Sequence, residues 1–269
     1  ADGQVLSNIS SPVKDNTGYS VADIAIGAEG TLGIITAVKL KLIRPVSETT
    51  LFLIPAQSMD GALELLTKVQ SSGHQLLAAE YVDAVTMQLI LEQSNLRPLW
   101  REIPLLTLLF EVAGENVNLN FPQDSLGTSE LAEKRNYWQY REIASDTWTA
   151  LGKVHKLDVS VAVSDIAEFE SSLQNLLATF KGVETFGSFG YLADGNLHIE
   201  FVGPAIDDFA ADYAVLKLVA EFNGSISAEH GIGRAKREYL SLTRPALDIE
   251  IGKQIKSVFD PKGLFNPGV

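Results

Sequence analysis

The sequence contains no cysteine, which excludes disulfides, thiolate nucleophiles and zinc–thiolate sites and suits a cytoplasmic protein. Basic residues are scarce: 21 Lys and Arg stand against 34 Asp and Glu, a formal net charge of −13. That balance argues against binding nucleic acid or an anionic membrane as a main function. No apolar run is long enough to cross a membrane. The first residues, ADGQVLSN, show neither an initiating Met nor a signal-peptide pattern. They read as the interior of a strand-rich segment with Asp2-Gly3 as a hairpin turn, so further residues are expected in front. What the chain does have is 46% hydrophobic residues over 269 positions, enough for a substantial core and more than one domain.

Residues 1–45 are rich in Gly, Thr, Ile and Val and end in an alternating run, Ile34 to Leu42, which predicts strand. From Thr50 onward the pattern alternates between strands and helices. LFLIPA, HQLLAAEYV, PLLTLLFEV and VHKLDVSVAV read as strands. Helices are predicted at 58–71, 83–93, roughly 127–150, 165–179, 205–223 and most of 232–258. Strands at 183–192 and 196–202 flank the turn Ala193-Asp194-Gly195-Asn196. Antiparallel-looking strands interleaved with helices predict an α+β sandwich of ferredoxin-like type. The tail DPKGLFNPG is turn-rich.

Four stretches carry chemistry. SISAEHGIGRAKREY places Glu229 beside His230 in a loop bordered by Gly231 and Gly233, followed by a basic helical pattern. The carboxylate can bind a cation, and the imidazole can exchange a proton near neutral pH. In GYSVADIAIGAEGTLGIITAV, Gly27, Gly30 and Gly33 recur around Glu29 and Thr31, exposing backbone N–H groups that can bind phosphate or flavin oxygens. This pattern is neither a dinucleotide fingerprint nor a P-loop. In FGYLADGNLHIEF, a two-residue Asp194-Gly195 turn would put Tyr191 opposite His198. His198 and Glu200 would then face away from Leu197, Ile199 and Phe201, a side-by-side arrangement able to hold a divalent metal. In WQYREIASDTWTALGKVHKLD, Arg141 and Ser145 share a helix face, and Lys156 and Asp158 point the same way from the next strand. Convergent Arg and Lys suit a carboxylate substrate. Taken singly, each stretch reads more simply as a structural loop, an ordinary turn, a surface histidine or a solvated helix face.

Together, KDNTGY at Lys14–Tyr19, GAEGTLGIIT, WQYRE, ADGNLH, SAEHGIG and DPKGLFNPG occur in an order that resembles the C-terminal part of the FAD-linked 2-hydroxyacid dehydrogenases and oxidases. That family includes D-lactate dehydrogenase, the glycolate oxidase flavin subunit and D-2-hydroxyglutarate dehydrogenase, within the vanillyl-alcohol-oxidase superfamily. The resemblance implies a C-terminal remnant of an FAD-binding α+β domain at 1–47, a substrate-binding cap with an antiparallel sheet at 48–258, and a tail at 259–269 returning to the FAD domain. It implies FAD contacts from Gly27, Glu29, Gly30, Thr31, Gly33, Ile35 and Asn266. It implies substrate contacts from Arg141, Ser145, Lys156 and Tyr191, metal ligands His198 and Glu229, and His230 as general base. The implied reaction is FAD-dependent oxidation of a D-2-hydroxy acid, with an unidentified electron acceptor; a homodimer is allowed.

The chain departs from the family pattern at several points. Tyr191 stands where the family hairpin has a metal-binding His, Ala193 where it has Gly, Ala162 where the substrate strand has Pro, and Glu200 where Asn is usual. A zinc or manganese site would then need Tyr191 as a phenolate, or Glu200, as its third ligand. The family's pyrophosphate loop is also absent from these residues, so the chain by itself is expected to bind FAD weakly or not at all. Two other readings remain open at this point: a metal-free, non-catalytic paralogue or supporting subunit of an oxidase complex, and a flavin oxidase for a different alcohol.

Overall fold

The computed structural model describes residues 3–7 and 17–269. Asp2 of the expected first turn and Lys14, Asp15 and Asn16 of the KDNTGY motif lie outside the described residues. The chain divides into two units, 46–229 and 1–45 with 230–269. Residues 230–258, assigned from sequence to the cap, therefore group with the N-terminal segment. Among the described residues no helix is long and apolar enough to cross a membrane.

In the larger unit the elements follow in order: β1 (Thr49–Ala56), α1 (Met59–Gln70), β2 (Leu76–Asp83), α2 (Ala84–Gln93), β3 (Leu106–Ala113), β4 (Leu126–Thr128), α3 (Leu131–Glu142), α4 (Ala144–Ala150), β5 (Val154–Ser160), α5 (Ile166–Ala178), β6 (Thr185–Tyr191), β7 (Asn196–Val202) and α6 (Ala210–Glu221). The seven strands form one sheet in the order β4-β1-β3-β2-β6-β7-β5. Every pairing is antiparallel, giving the expected α+β antiparallel sheet with helices. Two helices start on side-chain caps: Gly61 N–H donates to Ser58 Oγ (3.1 Å) and Thr86 N–H to Asp83 Oδ1 (2.8 Å).

Side chains alternate across the pleat. Leu51, Leu53, Val82, Leu109 and Phe189 pack with Met87, Ile90, Tyr140, Ala144 and Trp148 from α2, α3 and α4. Gly187 on β6 admits this packing, since a Cβ there would sit 2.8 Å from Trp148 and 2.7 Å from Thr86. The other side of β2 carries Tyr81, whose hydroxyl donates to Glu170 on α5.

The single helix expected over 127–150 is instead a short strand and two helices. Leu126–Thr128 pairs with the edge of β1, and the helix breaks at Ile143 (φ −87°, ψ 0°). Just after the break, Thr147 Oγ1 bonds back to Ala144 O (2.7 Å), a contact that favours bending.

The Glu170 network makes stability pH-dependent. Glu170 Oε1 accepts from Tyr81 Oη (2.9 Å) and Ser188 Oγ (2.7 Å) in a buried site. Burial pushes this carboxyl from 4.5 up to about 7. A folded pKa above the unfolded one means the folded state holds the extra proton. Its stabilisation is complete below about 4.5 and is lost as pH rises through about 7. Glu170→Gln keeps an acceptor and removes the ionisation. We expect the variant to gain on the order of 3 kcal/mol over the parent chain at pH 8 relative to pH 4. Denaturant melts at both pH values check this; identical pH slopes for the two proteins would contradict it.

The smaller unit corrects the strand expectation for 34–42. A strand needs a hydrogen-bonded neighbour, and among the described residues none pairs with this run. Its apolar side chains are largely exposed, Leu42 at 89%. The expected long helix over 232–258 is also shorter. Gly231 (φ 76°) and Gly233 (φ 51°) hold the chain irregular, and a 3₁₀ turn follows at Arg237–Leu242. The α-helix α7 begins only after Pro245, at Ala246–Phe259. The basic residues read as a helical pattern instead fasten the tail: Arg234 donates to Pro267 O (2.7 Å) and Arg237 to Gly268 O (3.0 Å).

Candidate functional site

On the α3/α4 side of the sheet, antiparallel register lines side chains into rows. One row runs Glu80, Tyr191, Asn196, Ser160; the next Val82, Phe189, His198, Asp158; the third Gly187, Glu200, Lys156. The hairpin loop is four residues long rather than two, so Tyr191 pairs with Asn196, and Phe189 lies opposite His198. The Tyr191 ring still reaches His198 diagonally, with centroids 6.0 Å apart.

Arg141 on α3 points onto the first two rows. Its Nε lies 2.6 Å from Glu80 Oε2, and its guanidinium carbon sits 4.9 Å from the Phe189 ring centroid and 5.3 Å from that of Tyr191. Stacking on two rings fixes the plane of the guanidinium. Burial pushes the Glu80 carboxyl up against the pull of Arg141. Tyr191 is likewise raised, by burial first and then by the Glu80 charge, which disfavours the phenolate that metal ligation would need.

Asp158, His198 and Glu229 present ligand atoms that all lie within 4.8 Å of one another. The Glu229 N–H donates to Asp158 Oδ2 (2.7 Å), fixing the carboxylate beside the histidine. An imidazole with two carboxylates is a donor set suited to a divalent cation. Two of the three sequence candidates, His198 and Glu229, thus meet, and the third partner is Asp158. Glu200, the other candidate ligand, lies one row away. Its Oε1 accepts from Ser145 Oγ (2.7 Å) and its Oε2 is 3.2 Å from Lys156 Nζ. Burial raises the Glu200 carboxyl, against the lowering effect of Ser145 and Lys156. Ser145 and Lys156, expected to bind substrate, are thus bound to each other and to Glu200.

Sequence reasoning singles out Asp158 only for its shared direction with Lys156, and it misses Glu80 and Phe189. A charge inside the apolar strand AAEYV is the available signal for Glu80. The pairing that sets Phe189 against His198 is not visible locally.

In the smaller unit, Gly30, Gly33, Ile35 and Asn266 line a cavity of about 560 Å³ with Ala25, Ala28, Leu32, Ile34, Leu264 and Phe265. Asn266 Nδ2 donates to Glu29 O (2.6 Å), joining the NPG tail to the glycine-rich segment. Two other expected cofactor residues have internal partners. Glu29 accepts from the Ile232 and Gly233 N–H groups (both 2.8 Å), and Thr31 Oγ1 donates to Ala28 O (2.6 Å). A side chain at Gly231 would collide with the Glu29 carboxylate, its Cβ 2.6 Å from Cδ. Gly27 (φ 78°) serves the turn and is outside the cavity lining. His230 opens this unit, directly after Glu229 in the chain.

Residues 46–269 match the family described as FAD linked oxidases, C-terminal domain. The chain is 30% identical over 286 residues to the mitochondrial D-2-hydroxyglutarate dehydrogenase of Danio rerio, covering 99% of this chain and 53% of the relative. It is 30% identical over 291 residues to the D-2-hydroxyglutarate dehydrogenase of Stutzerimonas stutzeri, covering 99% and 62%. It therefore spans roughly half to three fifths of these relatives. Among solved structures, an alkyldihydroxyacetonephosphate synthase aligns with TM-score 0.55 at 16% identity over 95% of this chain and 51% of its own, a likeness of fold.

Proposed function

The chain belongs to the FAD-linked oxidases, and on that premise we propose that the protein it forms part of oxidises a D-2-hydroxy acid to the 2-oxo acid. The observation that carries this reading is the placement, on one sheet face, of Arg141 next to the Asp158–His198–Glu229 cluster. A 2-hydroxy acid has a carboxylate and a hydroxyl on adjacent carbons. An arginine beside a cluster suited to a divalent cation offers one partner to each of these groups.

The cavity edged by Gly30, Gly33, Ile35 and Asn266 fits a flat apolar ring. Its volume lies in the small-molecule range, and its wall is built largely of small and aliphatic residues. Bound FAD would supply the two-electron acceptor. A zinc or manganese ion held by Asp158, His198 and Glu229 would supply Lewis acidity towards the substrate hydroxyl. Arg141 binds the substrate carboxylate through its guanidinium N–H groups and orients Cα. His230 accepts the hydroxyl proton on an imidazole nitrogen as the C–H electron pair departs with its hydrogen and the C=O bond forms. The substrate thus loses one proton and one hydride. The reading includes a separate acceptor that reoxidises the cofactor, and a cytoplasmic location in keeping with a cysteine-free chain.

The test is anaerobic mixing of the full-length, FAD-loaded protein with a panel of D-2-hydroxy acids. Loss of visible flavin absorbance with one 2-oxo acid formed per flavin is expected. Absence of bleaching by every acid would overturn the reading. His230→Ala should slow bleaching on the order of 10²–10⁴-fold with FAD content unchanged; a near-normal rate would remove His230 from the reaction.

A further inference from the structure

Glu29 directly precedes Gly30 of the cavity wall, yet its carboxylate is turned to the loop that follows His230. Resting on the activity proposed above, we infer that Glu29 is a positioning residue for His230: its carboxylate holds the loop that carries the proton-accepting imidazole and does not bind the cofactor.

The first ground is the contact itself. Glu29 Oε1 accepts from the Ile232 N–H and Oε2 from the Gly233 N–H, both at 2.8 Å. Each oxygen has its own donor on successive peptide groups, and the charge of a carboxylate strengthens both bonds. These amides lie two and three residues after His230, so the contact fixes the backbone on which the imidazole stands. Just before His230, the Glu229 N–H donates to Asp158 Oδ2 (2.7 Å). Along the chain, His230 is therefore bracketed by anchored peptide groups. The second ground is a backbone shaped for the contact. Glu29 has φ 50°, a left-handed conformation that is costly for a residue with a long side chain. Its own carbonyl is held there by Asn266 Nδ2 (2.6 Å). Gly231 (φ 76°) lies against the carboxylate, where an added Cβ would stand 2.6 Å from Cδ and 2.7 and 2.9 Å from the two oxygens. Only glycine lets the loop close on Glu29 at that point. The third ground is the demand of the chemistry. A general base acts from within hydrogen-bond reach of its proton, and a misplacement of about 1 Å can cost on the order of 10²-fold in rate. His230 lies in neither helix nor strand, so its placement depends on contacts of this kind.

Flavin reduction by D-2-hydroxy acids in the full-length holoprotein, measured in a cycle of Glu29→Ala and His230→Ala, tests the inference. Glu29→Ala should lower the limiting rate of reduction on the order of 10²-fold, with the half-saturating substrate concentration and the FAD content unchanged. Glu29→Gln, which keeps one acceptor oxygen, should lose less. In the His230→Ala background, Glu29→Ala should cost less than about twofold more, because a residue acting through the imidazole then has nothing left to place. Loss of FAD from Glu29→Ala, a raised half-saturating concentration at an unchanged limiting rate, or full additivity of the two losses would overturn the inference while leaving the oxidase activity standing. Bleaching of the unmodified protein by no acid would instead fail the activity itself. Crystal structures of the unmodified and Glu29→Ala holoproteins decide the inference independently of turnover. The His230 imidazole should be displaced by about 1 Å or more in the variant; an unmoved imidazole would overturn the inference.

Discussion

Arg141→Ala is expected to lose substrate-driven flavin reduction by on the order of 10²–10³-fold and to destabilise the larger unit by about 3–5 kcal/mol. The two losses have separate causes. Arg141 and Glu80 form an ion pair with side chains 10% and 11% exposed, so removing the guanidinium leaves a carboxylate buried without its counter-ion. The guanidinium also rests on the Phe189 and Tyr191 rings, and alanine leaves that space empty. A double variant, Glu80→Gln with Arg141→Met, removes both charges and refills the volume. It should recover most of the stability in denaturant melts and none of the reduction rate. Recovery of both would make Arg141 a structural residue and remove it from substrate binding.

The second large effect concerns the cation. The full-length protein should bind one divalent ion, and His198→Ala should weaken that binding by on the order of 100-fold or more. Asp158→Asn should weaken it as well while keeping an oxygen able to accept the Glu229 N–H. Glu200→Gln should leave cation content unchanged, because the Glu200 carboxylate is committed to Ser145 and Lys156. Metal analysis of the unmodified protein and the three variants checks these expectations together. A cation lost in Glu200→Gln and retained in Asp158→Asn would restore the ligand set expected from sequence.

The sheet was legible because alternation is a local property. Leu197, Ile199 and Phe201 are fully buried on one side of β7, while His198 and Glu200 face the other, as the period of two requires. Register was less legible. Asp-Gly is a strong two-residue turn signal, yet Leu192 N–H bonds to Ala79 O on β2, and the loop closes over four residues. That tertiary contact moved Tyr191 away from His198 and brought Phe189 opposite it. The identity of the third member of the His198–Glu229 cluster depended on the same kind of information. Asp158 and Glu200 are equally placed by alternation, and only the cross-strand pairing of β5 with β7 gives Asp158 to His198 and Glu200 to Lys156. The segment 34–42 failed in the opposite sense. Its pattern is that of a strand, but strand structure also needs a partner edge, which pattern does not supply.

A crystal structure of the full-length holoprotein with oxamate, an unreactive analogue of the 2-oxo acid product, tests the central claim most directly. The account predicts the oxamate carboxylate within hydrogen-bond reach of the Arg141 guanidinium and its carbonyl oxygen turned towards Asp158, His198 and Glu229. Oxamate bound elsewhere, with Arg141 still closed on Glu80 alone, would contradict it.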